Sequence, residues 1–272
     1  MHKWGDNNQV IFDALKEFFV IFHTTEGEGE DFRLLGTWMD TTLRMESNVR
    51  KLIARARPKI SALLRTKRFY SEAELVKQYK THVLCLLEIN PGGYYHALDT
   101  ILEPLDQLQR SFLKEINMSE ETAFIEHNLA PLCARRDIGM LGLIFKCVHG
   151  KAHKDLQEMF PRSEHVKHQY DTKHQAHRHP LQLVESRPGT HHCLLRRSVF
   201  GLTRVWNRLP AKAAEAESVT SVQQMLTAMV RMACRRNDVD LTETLSPRAA
   251  LLKESSHFLE LLKTGRPLLY VA

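Results

Sequence analysis

No stretch of this 272-residue sequence approaches the ~20 consecutive apolar residues that a membrane-spanning helix needs, so no span is expected. Cysteine is scarce and unpaired. The five residues Cys85, Cys133, Cys147, Cys193 and Cys234 are odd in number, widely spaced and free of any CxxC pair. That excludes a disulfide framework and points to free thiols in a reducing compartment. The N-terminal apolar run IFDALKEFFVIF is interrupted by Asp13, Lys16 and Glu17, which no secretory leader would carry. An intracellular protein, nuclear or cytoplasmic, is therefore expected. Phosphate-binding glycine loops, GxSxG elbows and HExxH helices are missing, and with them the common signatures of nucleotide hydrolases, serine hydrolases and zinc proteases. No internal repeat or low-complexity run occurs.

Acidic residues are missing from one place in particular. Between Glu46 and Glu72 there are none, while Arg50, Lys51, Arg55, Arg57, Lys59, Arg65, Lys67 and Arg68 all fall there. Overall the chain is only moderately basic, with a formal charge of +6 and a pI near 9.1, so the clustering matters more than the total. In the same stretch Val49, Leu52, Ile53, Ala56, Ile60, Leu63 and Leu64 recur at three-and-four spacing. That spacing predicts a helix with one buried stripe and a cationic remainder, for which a polyanion is the natural partner. Ser47 or Thr42 is the expected cap, and Pro58 predicts a kink or a break near Arg57.

The remaining pattern is that of an ordinary globular chain, 43% hydrophobic and 26% charged, long enough for one large or two modest domains. Phe18 to Phe22 reads as a buried strand and Phe32 to Trp38 as a second, forming a hairpin with a long loop that turns the chain toward the basic helix. A helix follows from Ser71, with Glu74 at capping-box spacing, and ends at Pro91-Gly92-Gly93. Another runs from Tyr94 to Asn117 with Pro104 inside it, then a short one begins at Ser119. Leu132 to His149 is a helix with Gly150 as its C-cap. From about Pro161 to His192 periodicity lapses into a long loop, and helices resume at 194–210, 218–236 and 251–263. The fold class is mainly α: an N-terminal β-hairpin followed by a multi-helix bundle and further helices. The expected divisions are 1–40, 41–130, 131–210 with a His-rich loop at 161–193, and 211–272.

Two metal readings are weighed and set aside. His165, His168, His174 and His177 with Cys193 match no compact zinc ligand spacing. Asp238 and Asp240 form a DxD-like pair in a polar stretch that reads as a solvated turn. No metal site and no cofactor is expected.

The order of FRLLGTWMD, the basic helix, KQYKTHVLCLLE, LAPLCARRDIGMLGLIFKCVHG and SVFGLTRVWNRLP resembles the reverse transcriptases of non-LTR, LINE-like retrotransposons, downstream of their catalytic centre. The resemblance covers roughly residues 4 to 235. Leu34, Leu35, Gly36 and Thr37 are similar to the family's primer grip, with Leu-Leu-Gly in place of aromatic-Leu-Gly. Lys16 matches a lysine that lies near the incoming nucleotide in the preceding palm motif, although Asp13 stands where asparagine is common. The resemblance implies a palm remnant bearing the grip hairpin, a helical thumb over 41–130, and contact between the thumb's cations and the phosphates of RNA or an RNA–DNA duplex. The metal-binding aspartates of such polymerases are not found before Lys16, so Mg2+ chemistry belongs to a complete polymerase, and an upstream polymerase half is a possible partner. A truncated fragment that binds nucleic-acid backbone without catalysis is the expectation. The alternatives are a helical protein-interaction module and a decayed retroelement reading frame without selected activity.

Overall fold

Two hydrophobic clusters, one drawn from residues 45–132 and the other mostly from residues 124–230, account for the arrangement of the helices in the computed structural model. It describes residues 7–9, 20, 22, 31–163, 179–184, 195, 197–207 and 209–235, the last four by backbone alone. The molecule is mainly helical, with a small two-stranded antiparallel sheet near its N-terminus.

The sheet is made by β1 (Phe32–Leu34) and β2 (Thr37–Met39), with Phe32 opposite Met39 and Leu34 opposite Thr37. Phe32 to Trp38 is therefore not one strand, as its apolar run suggested, but a hairpin folded upon itself. The two-residue turn explains why: Leu35 (φ 47°) and Gly36 (φ 89°) both take positive φ, which matches the twist of a tight antiparallel pair. Of the stretch read as the partner strand, Val20 and Phe22 are described and neither is in a strand. The Phe22 ring centroid lies 6.1 Å from that of Phe32.

α1 (Glu46–Arg65) follows. Neither Thr42 nor Ser47 caps it. Met45 occupies the cap position in the left-handed region, and the Asp40 carboxylate accepts from the Arg44 and Met45 amides at 2.8 and 3.2 Å. Ser47 instead hydrogen-bonds Asp31. The expected break at Pro58 is also not found, and α1 runs unbroken through it. Ala54, whose carbonyl would lose its partner, is exposed, so water can satisfy that oxygen.

α2 (Glu72–Tyr79) begins with the full capping box: Ser71 Oγ accepts from the Glu74 amide and the Glu74 carboxylate accepts from the Ser71 amide. The helix does not continue smoothly to Pro91. A π-helical turn (Lys80–Leu84) separates it from α3 (Cys85–Leu87), and Pro91 opens a short helical turn, α4 (Pro91–Tyr94). α5 (Asp99–Glu115) starts later than Tyr94, because Tyr94 and Tyr95 are buried in the preceding turn, with Tyr94 Oη donating to Leu87 O at 2.5 Å. Pro104 falls in the second turn of α5, and the helix runs unbroken through it. Val49, Leu52, Ala56 and Ile60 of α1 pack with Val76 and Tyr79 of α2 and with Leu102, Leu105 and Phe112 of α5. The Tyr79 and Phe112 rings stack at 4.4 Å.

α6 (Glu120–Ile125) is capped by Ser119, and α7 (Leu132–Val148) ends at Gly150 (φ 68°), which takes the C-cap role. α8 (Lys154–Glu158) is short. The expected helix over 194–210 is divided, among the described residues, into a 3-10 turn (Val199–Leu202) and α9 (Thr203–Trp206), followed by α10 (Ala211–Ala214) and α11 (Val219–Arg235). Ile138, Leu141 and Phe145 of α7, Trp206 of α9 and Val222, Leu226 and Val230 of α11 form the second cluster. Gly142 lets α7 and α11 meet, since a Cβ there would stand 2.6 Å from Gln223 Nε2 and 3.1 Å from Val219 Cγ1.

Within the expected loop over 161–192, the described residues 161–163 and 179–184 are tied together. Arg162 and Leu183 form an isolated antiparallel bridge. Asn207 Oδ1 accepts from the Leu183 amide at 2.8 Å while Asn207 Nδ2 donates to the Leu183 carbonyl at 2.8 Å. Trp206 Nε1 donates to Leu181 O at 2.8 Å. A side chain thus supplies the ladder that a neighbouring strand would have given, which period alone does not reveal.

Two charged pairs join α7 to the elements of the other cluster. Arg136 makes a bidentate pair with Asp106 of α5, both bonds at 2.8 Å, and is 8% exposed. Arg135 makes a second bidentate pair with Glu88. Burial alone would make the Arg136 guanidinium easier to deprotonate, but Asp106 outweighs it and holds the charge more firmly than usual.

Candidate nucleic-acid interface

The eight cations of the acid-free stretch are brought together on α1 and the turn that follows it. A helix rotates about 100° per residue. Lys51, Arg55 and Lys59 therefore line one flank of the buried stripe at four-residue spacing, and Arg50 and Arg57 line the other. The ridge between the flanks is Ala54, Pro58, Ser61 and Arg65. The cationic surface is the whole solvent-facing arc, divided into two rows, rather than a single line of charge.

Neutralisation varies along the helix rather than between the rows: one cation of each row is paired, both near the N-terminus of α1. Arg50 pairs with Glu46 at 2.9 Å and Lys51 with Asp31 at 3.5 Å. Lys51 Nζ also stands 3.1 Å from the centroid of the Trp38 ring, where the π face favours the charge. Arg65 Nε donates to Ser61 O and Lys67 Nζ to Glu115 O, each at 3.3 Å, which fixes the side chains without removing charge. Arg55, Arg57, Lys59 and Arg68 are exposed, and no carboxylate among the described residues pairs with them. From Lys51 to Arg65 the rise is about 21 Å at ~1.5 Å per residue. At ~3.4 Å per nucleotide that matches about six phosphates of one strand.

The grip-like residues lie beside the N-terminal half of this helix. Trp38 of β2 donates its amide to Oδ1 of the buried Asn48 at 3.1 Å, fixing the sheet to α1. Leu35 stands at the tip, 88% exposed, while Thr37 is buried. Asn90, itself in the left-handed region, donates to Leu35 O at 2.8 Å and lies 3.2 Å from Thr37 Oγ1. The tip is thereby held against the corner between α3 and α4. Sequence reading missed Asn90, which is 55 residues from its partner and carries no local signal. It missed Trp38 as the ring beneath Lys51 for the same reason. Phe69 and Tyr70 were missed although they directly follow the last two cations.

Lys16 lies outside the described residues, as do His165, His168, His174, His177, Cys193, Asp238 and Asp240. Among the described residues no three of His, Cys, Asp or Glu converge as metal ligands. The described cysteines Cys85, Cys133 and Cys147 are free thiols. Burial pushes the Cys133 thiol up to about 12, so it is a protonated packing group rather than a nucleophile. No described helix is long and apolar enough to cross a membrane. Compared with known proteins, the chain matches no family model, no curated protein and no solved structure.

Proposed function

We propose that the cations of α1, with Lys67 and Arg68 after it, form a surface for the sugar-phosphate backbone of RNA or an RNA–DNA duplex. Residues 41–130 then act as a thumb-like body, with the Leu34–Thr37 tip set toward the strand end as a primer grip would be. The observation that carries this reading is four exposed cations, Arg55 and Lys59 on one flank of α1, Arg57 on the other and Arg68 in the turn that follows, with no carboxylate partner among the described residues. Such contacts fix position along a strand and carry no base information. The role assigned is binding, with no polymerase chemistry by this chain alone. The likeness of its motif order to non-LTR retrotransposon polymerases supports the choice of nucleic acid over an acidic protein surface.

An anisotropy titration with a labelled blunt RNA–DNA hybrid tests it. With about three to six phosphates neutralised, log K should fall with log salt at a slope of roughly −2 to −5. The triple variant Arg55→Glu, Arg57→Glu, Lys59→Glu should flatten that slope by about 2 to 3 and weaken binding regardless of sequence. Weak association that salt does not alter would reject the reading.

A further inference from the structure

The last turn of the cationic segment exposes aromatic rings. Thr66 closes α1, its hydroxyl donating to Leu63 O at 2.8 Å, and Lys67–Phe69 form a single 3-10 turn. Tyr70 is extended (φ −126°, ψ 146°), and Ser71 then starts α2 through its capping box. Phe69 is 69% exposed and Tyr70 is 45% exposed. Two adjacent aromatic rings thus stand open to solvent where the cationic helix ends, and their position there invites a reason.

The surroundings supply one. The Arg68 guanidinium lies 4.6 Å from the Phe69 ring centroid, Lys67 is anchored on Glu115 O, and Arg65 sits one turn earlier. The next acids along the chain are Glu72 and Glu74, and Glu74 is engaged by Ser71. An apolar protein partner would ask for an apolar rim. Here a flat ring stands among cations at the end of a helix of cations. That combination suits a ligand that carries flat rings on a phosphate chain. A duplex interior hides its base faces, so the ligand must be unpaired at this point.

Building on the backbone-binding reading above, we propose that Phe69, flanked by Arg68 and Tyr70, is a stacking platform for an unpaired nucleotide, so that the preferred ligand is a duplex ending in a single-stranded extension. The phosphates of the paired part lie along α1, and the first unpaired base leaves the duplex onto the Phe69 face. Base-on-aromatic stacking tolerates any base, so the platform adds affinity without sequence preference.

The full chain is titrated with three labelled probes: a blunt RNA–DNA hybrid, the same hybrid with a short unpaired extension, and the extension strand alone. The extension should tighten binding about fivefold or more, the effect of one stacked base. Phe69→Ala should abolish that gain and leave blunt-hybrid affinity unchanged, whereas Phe69→Trp should keep it. Because Phe69 is exposed, circular dichroism should show the alanine variant folded. A 2-aminopurine at the first unpaired position should be quenched by the wild type and not by Phe69→Ala. If the extension adds nothing, or if the alanine variant retains the gain, the platform is wrong while the basic helix keeps its role. Failure of all three probes to bind overturns both. Loss on Phe69→Ala of binding to anionic phosphatidylserine vesicles, with hybrid binding unchanged, would assign the ring to a lipid surface and overturn the platform.

Discussion

Arginine meets two opposite fates in this chain. On α1, Arg55 and Arg57 stand in water with no carboxylate partner among the described residues; at the start of α7, Arg135 and Arg136 are locked into bidentate pairs with Glu88 and Asp106. Both sets are cationic in the sequence, and only tertiary structure separates them. Charges at the α7 junction are satisfied internally and have nothing left for a ligand. Among the described residues Arg55, Arg57 and Lys59 of α1 are not, and the surface they form is open to an external anion. A cationic stretch is therefore evidence of binding only once its internal partners have been counted.

The sharpest way to break this contrast is at Asp106. Asp106→Ala leaves the Arg136 guanidinium buried and uncompensated, and should cost about 3–5 kcal/mol of folding stability in a denaturant titration. Replacing both partners, Asp106→Leu with Arg136→Met, should cost far less, because no orphaned charge remains. On α1 the equivalent truncation, Arg57→Ala, should change stability by no more than ~0.5 kcal/mol while weakening hybrid binding. Should Asp106→Ala prove as mild as Arg57→Ala, the junction is wetter than its 8% exposed arginine implies and the contrast dissolves.

His179 sets the next test, one of pH. Its Nε2 donates to Trp206 O at 2.9 Å and its Nδ1 accepts from the Leu181 amide at 3.2 Å, an arrangement open only to the neutral ring. Burial lowers its pKa from 6.5, more than the Trp206 carbonyl raises it. The unfolded chain then binds the proton more readily than the folded one. Stability should accordingly fall as pH drops below about 6.5 and level off once pH is below the folded value. His179→Gln should remove that part of the pH dependence. An unchanged profile would show that the 179–184 segment is not held through this ring.

These cases mark what the sequence could and could not show. The capping box at Ser71 and Glu74, the stop at Gly150 and the apolar stripes of α1, α7 and α11 are all local, and each is where spacing put it. The hairpin was misread because Leu35 adopts positive φ at a place where a strand continued just as well by composition. Pro58 was misread because an exposed carbonyl tolerates losing its partner. The pairs at Arg135 and Arg136 join residues 30 to 47 positions apart, and the Asn90 contact spans 55, distances at which no periodicity carries information. The cationic surface itself was legible as charge, but its division into two rows and the pairing of Arg50 and Lys51 were not.

The smallest effect probes the hydrophobic side of the same comparison. Among the described residues, Tyr94 Oη has a carbonyl partner, whereas Tyr79 Oη, buried against Phe112, has no protein hydrogen-bond partner. Burial holds the Tyr79 phenol well above its ordinary pKa, so it stays neutral and its hydroxyl carries a desolvation cost without return. Tyr79→Phe keeps the stacked ring and removes that group. Stability should be unchanged or rise by up to ~1 kcal/mol, read as a shift in denaturation midpoint at constant m. Tyr94→Phe, which strands the Leu87 carbonyl, should instead lose about 1–3 kcal/mol. If the two variants behave alike, the Tyr79 hydroxyl has a partner after all, and the first cluster is as fully satisfied as the junction beside it.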